Sequence, residues 1–95
     1  MKARDLLSAL STNVFDNEYE GLYSTSRSNL FAITTARIDS EGNLVFYIEN
    51  KKAPLSIKDF YLILMKNKSR SLKIWSGSQS LDIFGFKMDG NKIVV

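Results

Sequence analysis

No cysteine and no histidine occur in this 95-residue chain, which also holds a single proline and a single tryptophan. Without thiols there is no disulfide framework, no thiolate metal site and no cysteine nucleophile. Without imidazole there is neither the usual proton shuttle near neutral pH nor a histidine-ligated zinc. Carboxylates are the acid–base equipment that remains, so composition turns the reading away from an enzyme. Long apolar runs are missing too. The longest, Phe60-Tyr61-Leu62-Ile63-Leu64-Met65, has six residues, against the roughly 20 that a spanning helix needs. Near the start, Asp5 and Ser8 interrupt any apolar signal segment behind Lys2 and Arg4. These absences give the expectation of a single cytoplasmic domain over residues 1–95, with no membrane contact and no cofactor.

Charge is present in modest excess and unevenly placed. The net value is +3, yet residues 1–50 hold four Lys/Arg against seven Asp/Glu, a net −3, and residues 51–95 hold nine against three, a net +6. Such asymmetry fits either a basic surface for nucleic acid or two solvated faces of unlike composition.

The clearest local signal spans residues 56–67. Ser56 is a candidate N-cap with Asp59 three residues on, and Asn67 follows Lys66 as a stop. Ile57, Phe60, Tyr61 and Leu64 fall at i, i+3, i+4 and i+7, one face of a helix. A buried strand is the other reading of so short a run, and the caps decide for helix. Leu62 and Met65 then turn away from that face as a candidate apolar contact patch. Ala3, Leu6, Leu7 and Leu10 repeat the spacing in a first helix that ends near Asn13. Beyond it comes an acidic patch from Asp16 to Glu20.

Strands are expected near 18–23, over 30–39 and 44–49, and again over 72–75, 81–88 and 92–95. Ser40-Glu41-Gly42-Asn43 and Asp89-Gly90-Asn91 are turn clusters, and 24–29 and 76–80 read as polar loops. At an offset of fifty, Phe31, Ile33, Ile38 and Asp39 match Leu81, Ile83, Met88 and Asp89. The expected fold is therefore α+β: two tandem αβββ units, about 1–50 and 55–95, with two helices packed on mainly antiparallel sheet. The first unit opens on a D/E-L-x-x-x-L helix, Asp5-Leu6-Leu7-Ser8-Ala9-Leu10, and the second on Asp59-Phe60-Tyr61-Leu62-Ile63-Leu64, with Phe60 in place of the first leucine, each followed by a β-meander. In this it resembles small uncharacterised phage and mobile-element proteins of Gram-positive bacteria. That resemblance carries apolar spacing only and implies no functional residue.

Chemistry-bearing motifs are few. Asp39 and Glu41 flank a turn, where carboxylates serve local structure. Ser76-Gly77-Ser78-Gln79-Ser80 lacks the signature of a phosphate loop. Strand alternation sets Leu72, Ile74, Leu81 and Ile83 toward a core and Lys73, Trp75, Asp82 and Phe84 away from it, with Gly85 allowing a bulge before Phe86 and Lys87. Lys68, Arg70, Lys73, Trp75, Phe84 and Lys87 are thus the candidate partner or nucleic-acid face, since cations among aromatics suit stacked bases. The competing reading puts Trp75 and Phe84 over a second core layer. Two functions stand: a non-enzymatic accessory or inhibitor protein that binds a partner protein, with a homodimer as a further option, or a small nucleic-acid binder using the basic half. Clustering of Lys66, Lys68, Arg70, Lys73 and Lys87 on one face favours the second; their dispersal, with Leu62 and Met65 exposed, favours the first.

Overall fold

The computed structural model describes residues 1–11, 19–26 and 28–95. The expected end of the first helix near Asn13 and the acidic residues Asp16 and Glu18 lie outside them. In order the elements are α1 (Ala3–Ser11), β1 (Gly21–Ser26), β2 (Asn29–Ala32), β3 (Thr35–Ile38), β4 (Leu44–Tyr47), α2 (Ile57–Lys66), β5 (Leu72–Ser76), β6 (Gln79–Asp82), β7 (Lys87–Asp89) and β8 (Lys92–Val94). Among the described residues two helices and two mainly antiparallel sheets make the α+β fold that the sequence implies.

Capping fixes both helix starts. The Ser56 hydroxyl accepts from the Asp59 backbone N–H at 3.1 Å, and at α1 the Asp5 carboxylate accepts from the Lys2 N–H at 2.9 Å. Each helix carries one half of a capping box. Asn67 closes α2, its side-chain amide donating to the Ile63 carbonyl at 2.8 Å. Helix periodicity then aims Ala3, Leu6 and Leu10 of α1, and Phe60 and Leu64 of α2, into one core. Leu6 and Phe60 stand at equivalent places in the two units, as do Leu10 and Leu64.

The long middle strand expected in each unit is divided. Residues 30–39 pair with β1 up to Ile33, whose N–H donates to the Leu22 carbonyl at 2.9 Å; from Thr34, whose N–H donates to the Tyr47 carbonyl at 3.0 Å, they pair with β4. Thr34 and Thr35 both lie opposite Tyr47, a bulge that turns the strand from one sheet into the other. The second unit repeats the bend: the Ile83 N–H donates to Leu72 at 3.0 Å, and the strand resumes at Lys87 beyond Gly85. A run of β-branched residues carries no sign of which neighbour each half will meet, so the bend is invisible to strand propensity.

Sheet order follows from the bends. One sheet is β2-β1-β8-β7 and the other β3-β4-β5-β6, with β1 parallel to β8 and β4 parallel to β5. Each unit therefore gives one hairpin to each sheet, and the two bent strands join the sheets at their edges. The polar stretches 24–29 and 76–80 are largely strand: β1 runs to Ser26, β2 starts at Asn29, and Gly77-Ser78 is a two-residue turn with Gly77 at φ 65°. Leu22, Ile33, Leu44, Phe46, Leu72, Ile83 and Ile93 fill the interior beneath the helices, and the Phe46 and Phe60 rings meet with centroids 6.1 Å apart.

Candidate functional site

On β5 the alternation falls as the sequence requires, with Leu72 buried and Lys73 and Trp75 on the outer side. Cross-strand pairing then decides what these side chains do. Lys73 lies opposite Asp82 and forms an ion pair with it at 3.1 Å. The Trp75 ring leans on Tyr47 with centroids 5.9 Å apart, and the Arg37 guanidinium sits over the other aromatic at 5.5 Å. Arg37 also reaches Glu49 at 3.3 Å, and Glu49 holds Lys52 at 2.8 Å.

The rest of the expected basic face does not gather there. Arg70 is a structural clamp: its Nε donates to the Asn67 side-chain oxygen and its Nη1 to the Gly42 carbonyl, both at 3.0 Å. Lys68 is exposed on the same loop. Lys87 belongs to β7 in the other sheet, because the second hairpin of each unit crosses over. Phe84 is 85 % exposed in the bend between β6 and β7, and Trp75 is 41 % exposed, so neither lies in a second core layer. Leu81 is corrected as well: it is 44 % exposed and only Ile83 of that pair is core. Leu62 and Met65 do stand out from α2, at 42 % and 54 % exposure.

Asp39 is a turn residue. Its carboxylate accepts from the Asn43 N–H at 2.8 Å, the Glu41 N–H at 2.9 Å and the Asn43 side-chain amide at 3.1 Å. The bond from the Asn43 backbone is the main cause that holds its carboxyl below the ordinary value. Among the described residues no group of three carboxylates gathers into a metal site.

The feature that sequence reading missed is a cleft of about 520 Å³ at the far ends of β1 and β5. Ser24, Thr25, Ser26 and Phe31 line it from one unit, and Ile74, Trp75, Ser76 and Leu81 from the other, with Ile48 and Asn50 behind β4. Each residue of the first set corresponds to one of the second at an offset of fifty, so the cleft straddles the relation between the units. Among the described residues none of its lining side chains is charged. A second depression of about 570 Å³ shares Thr25 and is walled by Phe84, Phe86 and Val95. A signal was present in the chain: Ser24 and Ser26 occupy the parity of Leu22, so the inward face of β1 turns from aliphatic to hydroxyl where the core ends. No protein-family model matches this sequence, and neither a curated protein nor a solved structure is found to be similar to it.

Proposed function

We propose that the chain is a small non-enzymatic interaction protein, an accessory or inhibitor that engages a partner protein through the cleft end of the fold. One observation carries the reading. Of eight large hydrophobic side chains exposed among the described residues, Phe31, Ile48, Trp75 and Leu81 line the cleft and Phe84 lines the adjoining depression. Apolar residues scattered singly on a surface need no explanation, but a converging set with an aromatic anchor is the pattern of a partner site. Among the described residues the lining offers no general acid or base, which supports binding over catalysis.

A nucleic-acid reading rests on Arg37, Tyr47 and Trp75, where the Tyr47 ring meets both the guanidinium and the indole on the outer side of one sheet. It draws little from Lys73 or Arg70, whose charges are occupied within the fold. Capture from a bacterial lysate separates the two. A protein retained by the wild type after nuclease treatment, and lost by a Phe31→Ser, Leu81→Ser variant with an unchanged melt, fits the interaction reading. Trp75 quenching by oligonucleotides, weakening as salt rises, would replace it with the nucleic-acid reading.

A further inference from the structure

The strands β2, β3, β6 and β7 stand at sheet edges. Bare edges invite another strand, and proteins commonly guard them with charge. β3 carries Arg37, β6 carries Asp82, and β7 carries Lys87 and Asp89, whereas β2 carries no charge at all. The direction of its main-chain groups follows from one hydrogen bond. The Ile33 N–H donates to the Leu22 carbonyl, next to the Tyr23/Ala32 pair. Bonded and non-bonded pairs alternate in an antiparallel ladder, so Phe31 and Asn29 exchange bonds with β1, and Leu30 and Ala32 turn their N–H and C=O groups outward. Leu55 closes the edge just beyond, its N–H donating to the Ile33 carbonyl at 2.9 Å. Among the described residues nothing pairs with the outward groups of Leu30 and Ala32.

Between those two positions Phe31 points inward, 43 % exposed, and lines the cleft. We infer that the unguarded edge of β2 is the docking edge for an extended segment of a partner polypeptide, which adds as a further strand and lays every second side chain into the cleft beside Phe31. The inference deepens the interaction reading and rests on it. The chemistry of the segment follows from the site. Main-chain bonds at Leu30 and Ala32 demand an extended backbone bonded at every second residue. Among the described residues the cleft lining carries no charge to pair with a buried ion, so the inserted side chains are apolar and uncharged.

Selection from a displayed library of random dodecapeptides against the intact protein, followed by synthesis of the enriched peptides, tests this. Enriched peptides should alternate apolar residues and change Trp75 fluorescence on binding. N-methylation at every second backbone nitrogen should weaken them about tenfold, the scale of one lost hydrogen bond, while methylation at the intervening nitrogens should not. Ala32→Pro removes an N–H that the fold does not use, and should weaken binding by about the same factor. The methylation pattern needs no protein variant, so it decides even if Ala32→Pro folds poorly. Peptides that show no methylation pattern and bind Ala32→Pro as tightly as wild type, yet fail on Phe31→Ser, would overturn strand addition and leave the cleft reading standing. No enrichment, or indifference to Phe31→Ser and Trp75→Ser alike, would overturn both. A wild-type dimer that Ala32→Pro dissociates would assign the edge to a second copy and overturn the inference.

Discussion

Replacing Phe60 with alanine should remove a large fraction of the stability of the fold. The side chain is wholly buried, its ring lies 6.1 Å from that of Phe46 and 5.9 Å from that of Tyr61, and it occupies in α2 the place that Leu6 holds in α1. Truncating a buried phenylalanine typically costs about 3–5 kcal/mol, because transfer free energy and a residual cavity add. A domain of this length has roughly 5–14 kcal/mol in all. At a urea dependence of about 1–2 kcal/mol per M, the unfolding midpoint should therefore fall by roughly 1.5 M or more. Leu62, two residues on and 42 % exposed, is the control on the same helix. Leu62→Ala should stay within about 1 kcal/mol, the scale of surface changes. Equal losses from the two variants, or a loss below about 1 kcal/mol at Phe60, would refute the phase assigned to α2.

Three further outcomes can be measured by the same unfolding curves or their pH dependence. Ser56→Ala should cost about 1 kcal/mol by freeing the Asp59 N–H at the start of α2. Gly42→Ala should cost about 1 kcal/mol or more, because Gly42 sits at φ 83° and a new Cβ would come within 3.3 Å of Arg70 Nη1. For Asp39 the sign follows from a folded carboxyl held below its ordinary value, so that the unfolded chain takes up the proton first. Its contribution is complete above about pH 4 and is lost as pH falls through the folded value; Asp39→Asn should flatten the acid side of the stability profile, and an unchanged slope would count against the turn network.

Helices were legible because their signals are local. The apolar spacing of Ile57, Phe60 and Leu64 and the caps at Ser56 and Asn67 all act within one or two turns. The outward direction of Lys73 and Trp75 was legible for the same reason, since alternation is a property of the strand itself. What failed to show was pairing at a distance. Ile33 and Ile83 look like the middles of ordinary strands, and only a choice between β1 and β4, or between β5 and β8, bends them. The same crossing carries Lys87 away from Lys73, and no charge count along the chain could reveal it. Phe31 and Leu81 match as members of two units, and Leu81 reads as core, because a strand residue of the right parity lies under the helices or beyond them according to how far the core extends. The serines at 24 and 26 marked that limit, and their hydroxyls also made the segment resemble a loop.

The cleft is built jointly by two interlocked units, each sheet taking one hairpin from each. Thermal unfolding of residues 1–53 and 54–95, separately and mixed, tests that most directly. In isolation each fragment loses the parallel partners of β1 and β4, or of β8 and β5, and leaves its apolar faces in water. Neither should melt cooperatively alone, and the mixture should regain one sharp transition together with the Trp75 emission of the intact chain. A sharp transition in residues 1–53 by themselves would contradict the interlocked fold and the shared cleft with it.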